Sequence, residues 1–157
     1  LTLAVAKLNS DGNVLWKSVV ESNFVSCGDY WDSKLLLSSG EETLVAYGSS
    51  GCLSDFFVKK LDATGRIRWS KQFSPIRDCI LLSQNELLLL TDSKVYKINF
   101  QTGEQIWEVN IPRNSTISYP RSIHYRNDVI IVISQQEIFH FATSGQVIFQ
   151  KKLDLPV

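Results

Sequence analysis

Short apolar runs alternate with clusters of turn residues along the chain, and no segment keeps a helical period. The clearest stretch reads CILLS, ELLLL, KVYKINF and EQIWEVNI, with polar turns such as Gln84–Asn85 and Asp92–Ser93 between the runs. The runs are short and rich in β-branched or aromatic side chains, which is typical of strands. The second run of each group is solidly apolar, as expected for a strand covered on both faces. The pattern predicts an all-β protein with almost no helix.

A glycine followed four residues later by a large aromatic side chain recurs four times in the sequence. A tight link between two strands needs a residue at positive φ, which glycine adopts without penalty. The aromatic side chain then lies early in the next strand, where it can bury a large face against a neighbouring sheet. We predict that these residues hold successive sheets together: Gly12 and Trp16, Gly65 and Trp69, Gly103 and Trp107, and Gly145 and Phe149.

The recurring glycines are 53, 38 and 42 residues apart, close to the repeat length of about 40 to 50 residues of a β-propeller blade. We predict a β-propeller of four-stranded antiparallel blades, with repeat units at about 1–20, 34–73, 78–111 and 121–153 in one domain. The first unit holds only the last two strands of a blade, so about three and a half blades are present. Hairpins of a β-sandwich are the alternative, but recurrence of the whole four-segment unit argues against them.

The incomplete first unit leaves strand edges and apolar faces without partners. We therefore expect the chain to be part of a larger propeller or to dock laterally on another chain. A self-contained four-bladed ring is the alternative, and it requires Leu1–Leu8 to form the inner part of a minimal blade. The sequence contains no methionine, even at position 1, which also favours a segment of a longer polypeptide.

Two stretches, TLAVAKLNSDGNVLW at 2–16 and SDFFVKKLDATGRIRW at 54–69, resemble the bacterial β-propeller repeat. The stretch KINFQTGEQIW at 97–107 resembles the quinoprotein-like (pyrroloquinoline-quinone-like) propeller repeat, in which a T-G-x-x-x-W element forms a tryptophan docking contact between blades. Phe149 departs from that pattern. The docking residues that the resemblance implies are Gly65, Trp69, Gly103 and Trp107, with Gly12 and Trp16 as equivalents.

These families include dehydrogenases, outer-membrane assembly scaffolds and cell-surface adhesion or sensing proteins. The resemblance therefore implies a fold and does not select a function. Since the families are mainly extracytoplasmic, it also implies a periplasmic, secreted or cell-surface location.

Loops from the outer strand of one blade to the inner strand of the next surround the central channel of a propeller, where ligands usually bind. The sequence predicts three such loops, at 21–33, 74–78 and 112–121. The first places two aromatic residues between two carboxylates, which suits recognition or packing over a blade edge. The other two supply a mixed-charge rim that can equally remain solvated. The candidate binding residues are Asp29, Tyr30, Trp31, Asp32, Arg77, Asp78, Tyr119 and Arg121.

No catalytic or metal-binding motif accompanies the repeat. The histidines, His124 and His140, have no further ligand at metal-site spacing, and no serine lies in a G-x-S-x-G turn. The cysteines, Cys27, Cys52 and Cys79, match no metal or redox spacing, and the sequence leaves their disulfide state open. We therefore predict no catalytic residue, no metal and no cofactor.

The charge balance argues against a nucleic-acid partner. The chain has 16 basic and 16 acidic residues and a formal net charge of zero, so it lacks the electrostatic footprint of a nucleic-acid-binding protein. No apolar run is long enough to span a bilayer.

The sequence thus favours a non-enzymatic module for protein or glycan binding or scaffolding, with a protein or the remaining propeller blades as partner. A fragment of a quinoprotein-type oxidoreductase and a structural spacer repeat in a large cell-surface protein are the alternatives.

Overall fold

The computed structural model describes residues 2–21, 31–37, 41–49, 56–112 and 119–153, and for 31–37 and 49 the backbone alone. The described residues form fourteen strands and no helix, and the strands pair in four antiparallel sheets. The prediction of an all-β fold is confirmed. The chain divides into two compact units, Leu1–Pro75 and Ile76–Val157.

The first unit contains two sheets. Sheet 1 pairs β1 (Leu3–Leu8) with β2 (Val14–Glu21). Sheet 2 has four strands in the order β3-β4-β5-β6, each paired with its neighbour in sequence. Its strands are β3 (Trp31–Leu37), β4 (Thr43–Ser49), β5 (Phe56–Leu61) and β6 (Ile67–Phe73).

The second unit contains two four-stranded sheets with the same meander order. The strands of sheet 3 are β7 (Ile76–Leu81), β8 (Glu86–Thr91), β9 (Lys94–Asn99) and β10 (Gln105–Asn110). The strands of sheet 4 are β11 (Pro120–Arg126), β12 (Val129–Ser134), β13 (Glu137–Ala142) and β14 (Val147–Lys152).

The predicted loops at 21–33, 74–78 and 112–121 are longer than the connections in the structure. The first strand of each four-stranded sheet begins earlier than its polar sequence indicates, because it pairs along the full length of the apolar strand beside it. Trp31 pairs with Ser49 and Ile76 with Thr91. At the start of β11, Pro120 pairs with the last residue of β12.

The link between the last two strands of every sheet is a similar turn, which is one residue longer in sheet 3 than in the other sheets. Its first residue accepts a hydrogen bond from the amide of the turn glycine, whose φ lies between 74° and 89°. In sheets 1 to 3 that first residue is Asn9, Asp62 or Asn99, and its side-chain oxygen accepts further backbone amides across the turn. Sheet 4 has Ala142 at this position and makes the backbone bonds alone. The recurring glycine is therefore required by the turn itself.

Apolar side chains between neighbouring sheets form the cores. In the second unit, Leu88 and Leu90 of sheet 3 pack with Ile130 and Val132 of sheet 4. In the first unit, Leu3 and Val5 of β1 and Trp16 of β2 pack against a cluster formed by Val20, Val45, Tyr47 and Leu61. Sheets 1 and 2 thus share one core, and sheets 3 and 4 share another.

Asp62 holds its turn as a carboxylate. The Thr64 hydroxyl donates to Asp62 Oδ1 at 2.7 Å, and the amides of Thr64 and Arg66 donate to the same oxygen. Arg68 Nε lies 3.0 Å from the other oxygen. These interactions, led by the Thr64 hydroxyl, lower the pKa of Asp62 to about 2.

The Asp62 turn is expected to weaken in acid. Because the pKa is depressed in the folded state, the contribution of Asp62 to stability is present above about pH 4 and is lost as the pH falls through about 2. Thr64→Ala removes the leading interaction, so NMR titration of the Asp62 carboxyl should show its pKa rising towards the ordinary value. In Asp62→Asn, a matched control that keeps an acceptor oxygen, this pH dependence should vanish. An unchanged pKa in Thr64→Ala would contradict the assignment.

Candidate functional site

Trp16 of β2 lies against the turn of sheet 2. A Cβ atom built on Gly65 would lie 2.6 Å from Cε3 and 2.8 Å from Cδ2 of the indole, a separation that no real side chain tolerates. The φ of Gly65 is also 82°, which disfavours any residue with a side chain. Two features therefore require glycine at position 65: the positive φ of the turn and the close approach of the Trp16 indole.

Trp107 of β10 makes the same contact in the second unit. A Cβ atom on Gly145 would lie 3.3 Å from Cδ2 and Cε3 of the indole. Here the indole Nε1–H also donates to the carbonyl of Thr143 at 3.0 Å. The corresponding Nε1 of Trp16 is buried and has no hydrogen-bond partner among the described residues. In both cases an aromatic residue of one sheet packs on the glycine of the next.

The other predicted docking residues differ in their surroundings. Trp69 is 9 % exposed, and Gly103 has a φ of 74°; a contact between them stays a prediction. Gly12 has no atom within 4 Å of a Cβ built on it. Phe149 is 46 % exposed, and its ring centroid lies 5.1 Å from that of His140 in its own sheet.

The candidate binding residues fall into different environments. Asp29 and Tyr30 lie outside the described residues. Trp31 and Asp32 begin β3, and their side chains also lie outside the description. Arg121 lies in β11 and is exposed.

The structure brings Arg77 and Tyr119 together. The guanidinium carbon of Arg77 lies 5.3 Å from the centroid of the Tyr119 ring, and its Nε–H donates to the carboxylate of Asp92. Tyr119 is 51 % exposed. Arginine beside an exposed tyrosine is a combination enriched at protein interfaces. Sequence reasoning missed Asp92 because it lies in the hairpin turn between β8 and β9.

Asp78 has a structural role in the second unit. One carboxylate oxygen accepts the amide of Cys79 at 2.9 Å, and the other accepts the amide of Ile123 at 3.0 Å. Since β7 and β11 are edge strands of sheets 3 and 4, the carboxylate supplies an acceptor to an edge amide. Asp78 therefore ties the two sheets together, a role that the loop interpretation did not give it.

A second polar cluster links sheet 1 to sheet 2. The Tyr47 hydroxyl donates to Glu21 Oε2 at 3.0 Å, and Lys59 Nζ lies 3.4 Å from the same oxygen. The Lys59 ammonium also donates to the carbonyl of Val20 and lies 5.4 Å from the Tyr47 ring centroid. Burial, and then the bond to Glu21, raises the pKa of Tyr47, which keeps its hydroxyl a donor. No sequence pattern predicts this cluster, because its members lie on three separate strands.

Exposed apolar side chains lie on sheet 1 and on β14 of sheet 4. Leu8, Leu15 and Val19 are exposed by 54 %, 57 % and 53 %. Large apolar surfaces left open to solvent mark sites of protein contact.

Within the part of the chain that the structure describes, no group of three or more His, Cys, Asp and Glu side chains is placed to hold a metal ion. Cys79 is buried, and Cys27 and Cys52 lie outside the described residues. No helix long and apolar enough to cross a membrane occurs in the described ranges.

Comparisons with known proteins identify the repeat. The family model described as outer membrane protein assembly factor BamB matches residues 3–156. No curated protein matches the sequence.

Among solved structures, BamB from Moraxella catarrhalis superposes with a TM-score of 0.71 at 16 % identity, covering 96 % of this chain and 47 % of that one. A protein of unknown function from Bacteroides caccae superposes with a TM-score of 0.57 at 13 % identity, covering 95 % of this chain and 54 % of that one. The chain thus spans about half the length of both structures. At these identities the likeness shows the fold alone: the sheets are blades of a β-propeller, and the predicted fold is confirmed.

Two glycines with the same backbone conformation allow the indole contact to be measured. Gly65→Ala introduces both a strained φ and an overlap with Trp16, whereas Gly12→Ala introduces the strain alone. We expect Gly12→Ala to cost about 1–2 kcal/mol and Gly65→Ala about 1–3 kcal/mol more. Urea unfolding in dilute solution measures both. Equal losses would show that Trp16 does not depend on the glycine.

The two docked tryptophans provide a second matched pair. Trp107→Phe loses a hydrogen bond to Thr143, whereas Trp16→Phe removes a buried N–H that has no partner among the residues that the structure describes. Both variants lose similar ring area, so Trp107→Phe is expected to lower the free energy of unfolding by about 1 kcal/mol more than Trp16→Phe. Urea unfolding measures the difference, and a larger loss in Trp16→Phe would contradict this account.

Proposed function

Because the chain belongs to the family of the outer membrane protein assembly factor BamB, we propose that it is a non-enzymatic β-propeller module that binds protein. The name of that relative describes a factor in the assembly of outer membrane proteins. Proteins of the outer membrane are built from β-strands of about ten residues with alternating side chains. We propose extended segments of this chemistry as the partner.

The edge of β1 that has no paired strand among the described residues supports this proposal most directly. Sheet 1 has two strands, whereas sheets 2, 3 and 4 each have four. Within the described residues no strand pairs with the other edge of β1. An edge strand offers a row of amides and carbonyls that an extended peptide can extend by β-augmentation.

The two faces of β1 suit this strand to pairing with an extended peptide. Leu3 and Val5 pack against the core shared with sheet 2, which holds the strand in place. Ala4 and Ala6 point to the other face and are exposed. Small side chains on this face leave room for the side chains of a strand that pairs with the edge of β1.

The rim formed by Arg77, Asp92 and Tyr119 supplies a second contact of the same kind. An exposed tyrosine and a partly exposed guanidinium recognise polypeptide without selecting one sequence. Binding of polypeptide at the β1 edge and at this rim requires no catalytic residue.

The test is amide hydrogen exchange of the chain with and without a synthetic peptide of about ten residues with alternating valine and threonine. The amides of β1 that face away from β2 are expected to exchange quickly in the free chain. Saturating peptide is expected to slow them by about tenfold or more, because they become hydrogen-bonded. The amides of β12, inside a four-stranded sheet, should not change.

β14 is the matched control, since it is also an edge strand. Equal protection of β14, or no protection of β1, would contradict the proposal.

Incubation with pyrroloquinoline quinone and Ca²⁺ tests the alternative that the chain is a fragment of an oxidoreductase. A chromophore that stays bound to the chain after desalting would contradict a non-enzymatic module.

A further inference from the structure

The turn of sheet 1 contains an Asp–Gly step, Asp11–Gly12, which occurs nowhere else in the sequence, and the sequence has no Asn–Gly step. At such a step the main-chain nitrogen of the glycine can reach the carboxyl carbon of the aspartate, because glycine has no Cβ to obstruct the approach. The residues before the turn glycines of sheets 2, 3 and 4 are Thr64, Thr102 and Ser144, which carry no carboxyl group. The turn of sheet 1 therefore differs chemically from the other three.

The side chain of Asp11 is accessible. Asp11 is exposed, as is the residue before the glycine in each of the other three turns. This exposure therefore follows from the turn itself and does not depend on what lies beside sheet 1. Among the residues that the structure describes, none donates a hydrogen bond to the Asp11 carboxylate. The carboxyl group can therefore rotate towards the Gly12 nitrogen.

Asp92 offers a contrast within the same chain. It precedes another small residue, Ser93, in the turn between β8 and β9. Its carboxylate accepts a hydrogen bond from Arg77 Nε–H, and its side chain is 23 % exposed. A carboxylate held in this way must leave its partner before it can approach a main-chain nitrogen.

The Gly12 amide has the longest of the four equivalent hydrogen bonds. It donates to the carbonyl of Asn9 at 3.1 Å, whereas the corresponding distances for Gly65, Gly103 and Gly145 are 2.9, 2.8 and 2.9 Å. Local opening of an exposed turn costs little free energy and releases such a bond. The nitrogen that would react is therefore reached without unfolding the rest of the chain.

We propose that Asp11–Gly12 is a site of spontaneous isoaspartate formation. The Gly12 nitrogen attacks Cγ of the protonated Asp11 carboxyl, and the carboxyl hydroxyl leaves as water with the amide proton, which closes a succinimide ring. Water then adds to either ring carbonyl. Cleavage of the bond between Cγ and the nitrogen restores aspartate, whereas cleavage of the bond between the main-chain carbonyl carbon and the nitrogen gives isoaspartate. The water lost on closure is regained on opening, so the reaction needs no oxidant or other co-reactant.

The product would alter the turn, because the main chain then runs through Cβ and Cγ of the former Asp11 side chain and is longer. The hydrogen bonds of the turn span this link. The Asn9 amide donates to the Asn13 carbonyl at 2.9 Å, and Asn9 Oδ1 accepts the Asn13 amide at 2.8 Å. Added length between these residues separates donors from acceptors, so the hairpin of β1 and β2 is expected to open more easily. This inference goes beyond the proposed function and does not depend on it.

Peptide mapping of the folded chain tests the inference. The chain is kept in neutral buffer at physiological temperature, sampled over weeks, then unfolded and digested with trypsin, which releases residues 8–17 as one peptide. We expect a second form of this peptide to accumulate, with unchanged mass and with resistance to an endoprotease that cleaves before aspartate but not before isoaspartate. Deamidation of Asn9 or Asn13 would change the mass and is thereby distinguished. The peptide 78–94 should contain about tenfold less isoaspartate, because Asp92 must first leave Arg77 and is not followed by glycine.

Asp11→Glu is the matched control, because it keeps the carboxylate but requires a larger ring that closes much more slowly. This variant should show no second form of the peptide. Absence of the second form from the aged wild-type chain, or an equal amount of it in Asp11→Glu, would overturn the inference.

Amide hydrogen exchange of the separated isoaspartate form tests the structural consequence. The amides that pair β1 with β2 are expected to exchange about tenfold faster or more than in the fresh chain, whereas those of β12 should not change. Isoaspartate without faster exchange in β1 and β2 would overturn the predicted weakening of the hairpin.

Discussion

Coverage of apolar sheet faces is the constraint on which this structure depends. In sheets 3 and 4 the second and third strands place apolar side chains on both faces, so each sheet must be covered by a neighbour. The packing of an indole on a glycine brings neighbouring sheets together at their outer hairpins. Trp107 on Gly145 and Trp16 on Gly65 show the same solution in the two units. The glycine serves the turn and the contact at once, which explains why it recurs with the aromatic.

The polar ties between sheets follow from that packing. Once two sheets lie face to face, buried amides, carboxylates and ammonium groups between them need partners. Asp78 supplies acceptors to two amides on the edge strands β7 and β11. Glu21 accepts from the Tyr47 hydroxyl and pairs with Lys59. These hydrogen bonds fix the relative orientation of the two packed sheets, which apolar packing alone does not specify.

The sequence predicted the strands and the turn glycines because both depend on local patterns. Period-two alternation and solid apolar runs identify strands, and a glycine at positive φ identifies the turn. Contacts between residues that are distant in the chain leave no comparable local pattern in the sequence. The partner of Trp16 is a glycine in the following sheet, the acceptor for the Ile123 amide is Asp78, and Arg77 pairs with Asp92 in a hairpin turn. The inter-blade loops were predicted too long because their polar residues belong to edge strands that a neighbouring ladder extends.

Native-state hydrogen exchange of Trp107→Ala tests the central claim most directly, because it reads the opening free energies of sheets 3 and 4 separately. If the indole couples the two sheets, the opening free energies of amides in β8 and in β12 should fall together, by about 3–5 kcal/mol. A loss confined to β10, with β12 unchanged, would show that the indole contact does not hold the sheets together.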